Sequence, residues 1–305
     1  MTPSEIVTVD HEVYHLGLRK GQLATNIFQV GDPARAYKVA DHFDTIDHEI
    51  KHREFVTLTG NFKGLPVSVI GTGIGTDNVE IALLEAYTLH AFDFETAQKL
   101  PNAPALNIIR IGTSGGVQAE IKPGTMGIAT YALGLDSTGL FYDHDSADDQ
   151  VVAIEEAAQK VLESGTKANA RFKGKIIPYA SKASGKVAAQ LVDQAAIAKI
   201  DHVFGITVSS PGFYGPSGRY MEGLKNTVPN IKHDLAKLDV NGLHVINMEM
   251  ESSLIFHIAH QLGWQAGTIC PIISNPYHPT DIVDYDECVR QAIEIGLSAM
   301  KELQQ

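Results

Sequence analysis

The chain has 305 residues, of which 44% are hydrophobic and 20% are charged, and its formal net charge is −12. This length is enough for a large core, and the acidic balance argues against a protein that binds nucleic acid through a basic face. No run of about 18 apolar residues is present, so we expect no membrane span. The polar N-terminus is unlike a signal peptide, and only two cysteines occur, Cys270 and Cys288. We therefore expect a cytoplasmic protein in which Cys270 is an ordinary core residue.

Strands alternate with helical patterns along the whole chain. In the first half we predict strands over 26–30, 54–62, 65–71 and 105–112, the second and third joined by a Lys63-Gly64 hairpin turn, and helices over 33–43 and 77–92, the latter capped by Asp77 or Asn78. In the second half we predict strands over 125–133, 202–210, 244–250 and 265–274, and helices over 147–163, 184–199, 251–263 and the chain end. A polar loop spans 94–105. This alternation predicts a single α/β domain over 1–305 with a mostly internal sheet.

Arginines stand beside glycine-rich turns that close apolar strands. Arg35 ends the segment IFQVGDPAR, Arg110 lies in NIIRIGTSGG, and Arg219 lies in FYGPSGRY. Such turns expose backbone N–H groups that favour anions, and the arginine fork matches phosphate oxygens. The layout predicts a phosphate-using enzyme.

A simpler interpretation exists for Arg110, for Arg35 and for a further cation, Arg53, which follows Lys51-His52. Arg110 sits inside an apolar strand, where arginine needs an anionic partner. That partner is either an internal carboxylate or, as we favour, a bound anion held together with Thr113. Arg35, after Gly31, could equally be a solvated first-turn residue, and Arg53 alone is an ordinary surface charge.

Two glutamates, Glu249 and Glu251, join a predicted strand to a helix. In an extended segment their side chains point to the same side, which suits the hydroxyl groups of a sugar and a cationic sugar transition state. The alternative is a pair of first-turn acids that complement the helix dipole. Spacing alone does not decide between the two.

Two other motifs carry less weight. Residues 11–15, HEVYH, match the zinc-protease pattern, but that pattern works only on a helix, and here it follows the β-branched segment IVTV. We interpret it as a chance match of His11 and His15. The segment GTGIG at 71–75 resembles a dinucleotide loop, but Thr76 replaces the third glycine.

Seven motifs occur in a familiar order: YHLGL (14–18), GDPAR (31–35), HREF (52–55), TGIG (72–75), RIGTSGG (110–116), FYGPSGR (213–219) and EMES (249–252). Together they resemble the nucleoside phosphorylase-I superfamily, and within it the uridine phosphorylase family. The resemblance covers residues 14 to about 275 and implies a central mixed, partly barrel-like sheet flanked by helices.

The resemblance also implies a reaction, in which nucleoside and phosphate give a free base and ribose 1-phosphate, and a role for each motif residue. Gly31, Arg35, Arg110 and Thr113 would hold phosphate, and Arg53 would reach the phosphate of a neighbouring subunit. His15 would touch the neighbour's ribose, and Met250 and Glu251 would hold the ribose hydroxyls with Glu249 beside them. Phe213 would stack on the base, and Arg219 would donate to a base carbonyl. Arg35, Arg110 and Glu251 would carry the catalysis. A homo-oligomer, either a dimer or a hexamer of dimers, follows from the shared sites.

The chain departs from the family pattern at the base. Ser217 replaces a glutamine that reads the pyrimidine edge, and Pro276 replaces an arginine. Asn275 stands where bacterial purine enzymes place an aspartate, which argues against purines. Some members bind potassium between subunits through a glutamate at the position of Glu54, and Ile74 and Asn78 are the further candidates here, Asn78 replacing a usual serine.

These observations lead to an expected activity on uridine with inorganic phosphate as co-substrate and no cofactor besides the potassium ion of some members. The alternatives are a purine or broad-specificity phosphorylase, and a hydrolase that uses water instead of phosphate. The arginines argue against the hydrolase, because water needs no cationic site.

Overall fold

The computed structural model describes residues 4–143 and 148–304. The strands are β1 (Thr8–Val9), β2 (Glu12–Val13), β3 (Asn26–Val30), β4 (Thr45–His52), β5 (Phe55–Phe62), β6 (Leu65–Gly71), β7 (Asn107–Ile111), β8 (Ser114–Gly116), β9 (Met126–Gly134), β10 (Tyr179–Lys182), β11 (His202–Ser209), β12 (Asp239–Val240), β13 (Leu243–Glu249) and β14 (Gln265–Ser274). The helices are α1 (Pro33–Ala40), α2 (Thr76–Ala91), α3 (Asp149–Gly165), α4 (Gly185–Ile197), α5 (Ile231–Ala236), α6 (Ser252–Leu262) and α7 (Tyr285–Glu302).

One large mixed sheet organises these elements. Its strand order is β10-β9-β11-β13-β8-β14-β7-β3-β6-β5-β4, and β12 pairs with β13 outside this path. An additional antiparallel pairing joins β9 to β14, so that β9, β11, β13, β8 and β14 form a closed ring. The fold class is confirmed: a mixed α/β sheet, partly barrel-like, flanked by helices.

The central strands are buried on both faces. On β3 and β7, Phe28 and Ile109 pack in one apolar cluster with residues of α1, α4 and α7, whereas Ile27 and Ile108 pack in another with residues of α2 and α6. Successive side chains of a strand alternate between faces. Arg110 therefore lies on the α2 and α6 side, and this placement decides which partners it can reach.

Most predicted elements are confirmed. The short strands β1, β2, β8, β10 and β12 and the helix α5 were not predicted, and three further differences concern longer elements. The helix predicted to be capped by Asp77 or Asn78 begins at Thr76 after Gly75, with no side-chain cap. Strand β4 was not predicted, because its mostly exposed sequence TIDHEIKH shows no buried face; it pairs with β5 along one edge of the sheet. The helix predicted from position 147 begins at Asp149, and position 147 itself lies outside the described residues.

The parallel strands bring several loops to one edge of the sheet. Strands β3, β6, β7 and β14 run parallel to their neighbours within this group, as β11 does to β13. Ligands of open α/β sheets bind outside the carboxyl ends of such strands. No helix in the described ranges is long and apolar enough to cross a membrane.

Candidate active site

A cavity of about 690 Å³ opens at this edge of the sheet. Its walls come from the segments after β3, β6, β7, β11, β13 and β14, and from α5. The structure thus brings together eleven of the predicted site residues in one cavity: Gly31, Arg35, Ile74, Arg110, Thr113, Phe213, Ser217, Arg219, Glu249, Met250 and Glu251. It leaves His15, Arg53, Glu54 and Asn78 outside the cavity walls.

Arg35 lies in the first turn of α1 and is buried, with only 5% of its surface exposed. Asp32 caps this helix by accepting from the Ala34 N–H at 2.9 Å, and Pro33 occupies the first turn, where its missing N–H is not needed. The guanidinium donates to the Ile111 carbonyl at 3.1 Å and to the Tyr285 hydroxyl at 2.7 Å. Arg35 is therefore a fixed cation in the cavity wall and not a solvated surface residue.

Arg110 is the centre of a buried ionic network. Its Nε donates to Glu249 Oε2 at 2.9 Å, one terminal nitrogen donates to Gln29 Oε1 at 2.8 Å, and the other forms a short hydrogen bond with Glu251. Gln29 reaches it because the two residues are register partners on β3 and β7. Arg110 thus has internal carboxylate partners and also lines the cavity. Two of its five N–H groups are not used by these three contacts.

The turn after β7 fits closely around this arginine. A side chain at Gly112 would begin 2.9 Å from a terminal nitrogen of Arg110 and 2.7 Å from Cys270 Sγ. Only glycine therefore fits at position 112 without a steric clash. Burial raises the pKa of the Cys270 thiol to about 12, so it remains protonated in the core, as predicted. The half-buried Thr113 follows, and its hydroxyl has no hydrogen-bond partner among the residues that the structure describes.

Glu249 and Glu251 converge on Arg110 but differ in their remaining contacts. Glu249 accepts from the Ser209 hydroxyl at 2.5 Å, from the Glu251 N–H at 2.9 Å and from the Ser252 N–H at 3.0 Å. With Arg110 added, its four acceptor directions are filled. Among the described residues, the donors that contact the Glu251 carboxylate are Arg110 and the Gly75 N–H at 2.7 Å. The first-turn interpretation fits Glu249, which holds the first turn of α6, whereas Glu251 keeps acceptor capacity toward the cavity, so its role as a sugar ligand stays a prediction.

The two carboxylates also differ in pKa. Burial acts against the charged form of both groups, and the Arg110 charge acts in its favour. Hydrogen bonds from Ser209 and from backbone N–H groups tip the balance at Glu249, whose pKa is lowered. At Glu251 burial prevails, the Glu249 charge adds to it, and the pKa is raised.

The other side of the cavity carries aromatic and cationic groups. The Arg219 guanidinium lies 3.7 Å from the centre of the Phe213 ring and donates to the Phe213 carbonyl. One face of this ring is thus covered by a cation. The Ser217 hydroxyl donates to the Gly212 carbonyl at 2.7 Å and lies 3.1 Å from Ser210 Oγ, so its proton serves the loop.

Lys232, at the second position of α5, also lines the cavity and was missed by sequence reasoning. The segment NIKHDLAKL gives no local signal that separates this lysine from Lys237 nearby. Burial, and secondarily the charge of Arg219, lowers the pKa of Lys232 to about 8.

His15 and Arg53 lie together on the surface. The Arg53 guanidinium is 4.6 Å from the centre of the Tyr14 ring, and that ring centre is 4.9 Å from the ring centre of His15. His15 Nδ1 contacts Glu85 Oε1 at 2.7 Å, and His52 Nδ1 bonds the His15 carbonyl at 2.9 Å. These residues form one surface patch in which His15 is half-buried, here called the Tyr14 patch (Tyr14, His15, His52, Arg53).

Two metal hypotheses, a zinc site at HEVYH and a potassium site near Glu54, can be compared with the positions of their candidate ligands in one chain. No group of three His, Cys, Asp or Glu side chains within 4–143 and 148–304 could hold a metal ion. Of the potassium candidates, Glu54 is exposed after β4, Ile74 offers only its backbone carbonyl, and the Asn78 amide donates to the Thr72 carbonyl at 2.9 Å. The HEVYH segment runs from the turn between β1 and β2 through β2 and not along a helix, which removes the zinc-protease interpretation.

Comparison with known proteins agrees with this geometry. The model of the phosphorylase superfamily matches residues 26–303. A uridine phosphorylase of Haemophilus influenzae is 31% identical over 265 residues, which cover 86% of either chain. A uridine phosphorylase of Thermococcus kodakarensis is 28% identical over 262 residues, covering 86% of this chain and 77% of that one.

A solved structure extends the likeness to the whole fold. A nucleoside phosphorylase of Trypanosoma brucei, described as showing uridine phosphorylase activity, superposes with a TM-score of 0.86 at 29% identity and covers 97% of this chain and 99% of its own. The matched family model spans nearly all of the chain and includes the cavity residues from Gly31 onward. The chain belongs to the phosphorylase superfamily and is a pentosyltransferase enzyme.

Proposed function

We propose that the protein cleaves the N-glycosidic bond of a pyrimidine nucleoside with inorganic phosphate, converting uridine and phosphate to uracil and ribose 1-phosphate. The order of the strands carries this proposal. Phe213 and Arg219 follow β11, the carboxylates lie at the end of β13, and Arg110 and Arg35 belong to β7 and the segment after β3. Because β13 lies between β11 and the β7–β3 pair, the proposed sugar-binding acid would lie between the proposed base-binding and phosphate-binding sides. A nucleoside and phosphate require this same order.

The chemistry needs no general base to make the nucleophile, because phosphate is already an anion. Its oxygen forms a bond to C1′ while the C1′–N1 bond breaks and the electron pair passes to the base. The phosphate proton ends on the base through solvent, so the products balance. Arg35, Arg110 and Thr113, with the Gly31 turn, would hold the phosphate, and catalysis rests on positioning and charge stabilisation.

The sugar contact falls to Glu251. Its free acceptor capacity suits the ribose hydroxyl groups, whereas the saturated Glu249 would act by orienting Arg110 and α6. Met250, between them in the cavity wall, would pack against the ribose ring.

The base is proposed to be uracil. Phe213 would present its uncovered face to the ring, and Arg219 would donate to a base carbonyl from the edge. Because the Ser217 proton is used by Gly212, Ser217 supplies no direct donor to the base. Selection at the base should therefore be looser than a direct amide contact would impose, so that thymidine and 5-substituted uridines also react.

A homodimer, alone or within a hexamer, would complete the site. The Tyr14 patch lies outside the cavity wall of its own chain and carries His15 and Arg53, the two residues expected to reach a neighbour's ribose and phosphate. Such a patch serves the reaction only if a second copy brings it to the cavity mouth. A potassium ion between subunits, near Glu54, belongs to the same proposal.

The test is release of free base from a panel of pyrimidine and purine nucleosides, with and without inorganic phosphate. We expect turnover of uridine only in phosphate, and slower turnover of purine nucleosides. Faster turnover of a purine nucleoside would assign the chain to the purine or broad-specificity enzymes, and equal release without phosphate would assign it to the hydrolases.

A further inference from the structure

Lys232 is a cation in the cavity with no counter-charge. It makes no hydrogen bond or ion pair with any part of the chain that the structure describes. Of the carboxylates in the cavity wall, Glu249 and Glu251 form ion pairs with Arg110 and Asp32 caps α1, and none of them is paired with Lys232 in the described residues. By contrast Lys237, five residues later, is exposed and lies 3.6 Å from Asp234.

Its position in the cavity is given by its neighbours. A side chain at Gly115 would begin 3.3 Å from Lys232 Nζ and 3.6 Å from Ser274 Oγ. The ammonium group therefore lies over strand β8, near the end of β14. Arg219 is close enough for its charge to act on Lys232. The two cations thus occupy the same side of the cavity.

That side is the one assigned to the base. Helix α5 packs against β13 and against the 3-10 turn Gly215–Ser217, which lies within the loop from Phe213 to Arg219. Of the proposed phosphate ligands, Arg110 lies on β7 and Arg35 follows β3, three or more strands away from β13 in the sheet order, whereas Thr113 lies two residues before Gly115. Lys232 and Arg219 thus stand on the side assigned to the base, and the phosphate KM tests whether Lys232 also serves the Thr113 side.

A half-buried ammonium group beside another cation is unfavourable unless a ligand supplies an acceptor. Burial and the Arg219 charge both lower the pKa of Lys232, to about 8, which leaves most of the group protonated at neutral pH. A nucleobase offers carbonyl oxygens, and these oxygens become more negative as the base leaves.

We propose that Lys232 donates a hydrogen bond to a carbonyl oxygen of the bound base and stabilises the negative charge that forms on it. The role rests on the proposed function. When the C1′–N1 bond breaks, the electron pair spreads from the ring nitrogen to the carbonyl oxygens, and Lys232 holds that charge without losing its own proton. It would supply from α5 the direct donor that Ser217 does not.

The experiment compares Lys232→Met with Lys232→Arg and with the matched control Lys237→Met. Steady-state kinetics are measured on uridine and on 5-fluorouridine, whose fluorine withdraws electrons and stabilises the leaving base without help. For Lys232→Met we expect kcat/KM on uridine to fall about tenfold to a hundredfold, the range of one charged hydrogen bond. The loss on 5-fluorouridine should be clearly smaller, the phosphate KM unchanged, Lys237→Met as active as wild type, and Lys232→Arg partly active.

The opposing outcomes separate the two proposals. Full activity of Lys232→Met would overturn the role of Lys232 while leaving the reaction intact. Equal losses on both substrates with a raised phosphate KM would overturn it too, because Lys232 would then bind phosphate. A wild-type protein that releases no base in phosphate from either nucleoside would overturn the proposed function, and the Lys232 role with it.

Discussion

The two sides of the cavity are built differently. On the β7 and β13 side, Arg110 is 4% exposed, and its partners Gln29, Glu249 and Glu251 all lie on strands or at the start of a helix. On the β11 side, Phe213 is 54% exposed, and Arg219 and Lys232 stand on a loop and on a helix of six residues. One side is a closed network of charges, and the other is an open group of cations.

This difference indicates how such a fold separates chemistry from selection. Bonds to phosphate and ribose need atoms held within a fraction of an ångström, which strands and saturated hydrogen bonds provide. In the proposed function the base would be read by a loop, where residues change without disturbing the core. The departures from the family pattern at Ser217 and Pro276 would then both concern the base.

The largest expected effect is the difference in stability and activity between two arginine-to-methionine variants, one on each side of the cavity. Arg110→Met would leave Glu249 and Glu251 buried without their cation, so we expect a stability loss of about 3–5 kcal/mol and a fall in kcat/KM of at least about a thousandfold. Arg219→Met should also lower activity on pyrimidines, but with stability changed by no more than about 0.5 kcal/mol. Chemical denaturation and steady-state kinetics of both variants give the comparison. Equal stability losses would contradict the described difference between the two sides.

Glu251→Gln tests the closed side without a change of volume. Loss of the carboxylate should lower kcat/KM about a hundredfold, mainly through the nucleoside. The raised pKa of Glu251 adds a signature. In the wild type, activity should be present above that pKa and lost as pH falls through it, beginning above the ordinary glutamate value of about 4.3. If Glu251→Gln retained the same acidic limb in its pH–rate profile, another group would be responsible.

The shared site can be tested by mixing inactive variants. The Glu251→Gln subunit has a defective cavity but an intact Tyr14 patch. The His15→Ala subunit has an intact cavity but a defective patch for its partner. Glu85 still accepts from the backbone N–H groups of residues 15 and 16 in the latter variant, so the local fold should hold. After subunit exchange in a 1:1 mixture, half of the dimers carry one intact site of two, and about a quarter of wild-type activity should return. No recovery despite confirmed exchange would mean that sites are not shared.

A smaller effect is expected on the open side. Ser217→Gln should sharpen the preference for uridine over thymidine by a fewfold, because a longer amide could reach the base directly. Competition between the two nucleosides in one reaction measures the ratio. An unchanged ratio would indicate that the Gly212 loop keeps position 217 away from the base.

The smallest effect concerns stability. The lowered pKa of Lys232 means that folding acts against its protonated form, so the destabilisation is fully present below about pH 8 and is relieved as pH rises from there toward the ordinary lysine pKa of 10.5. Lys232→Met should therefore stabilise the protein at neutral pH by on the order of 1 kcal/mol after allowance for partial exposure, or about 2 °C in Tm. A lower Tm would indicate that Lys232 has a structural role.

The sequence predicts the fold well where burial dictates the pattern. The apolar run around Arg110, the glycine turns and the alternation of elements are local signals, and they identify the α/β class and the central strands. Strand β4 is missed because its position depends on pairing with β5 and not on its own hydrophobicity. The helix cap at Gly75 has a φ of 106°, a conformation that favours glycine, and its N–H donates to Glu251.

Within the site, the sequence indicates residue types but not their pairings. Spacing suggests that Glu249 and Glu251 converge, yet only the tertiary structure makes Glu249 a saturated anchor and Glu251 an open acceptor. The partnership of Arg110 with Gln29 follows from strand register across 81 residues. Lys232 lines the cavity because of where helix α5 packs, and no local sequence pattern indicates that position.

The most direct test of the whole account is phosphorus NMR of a reaction containing wild-type protein, uridine and inorganic phosphate. The account predicts a new sugar phosphate monoester signal that grows at the rate at which uracil appears, with an equal loss of the phosphate signal. Uracil release with no new phosphorus signal would contradict it, because the arginine side of the cavity would then not deliver phosphate to C1′.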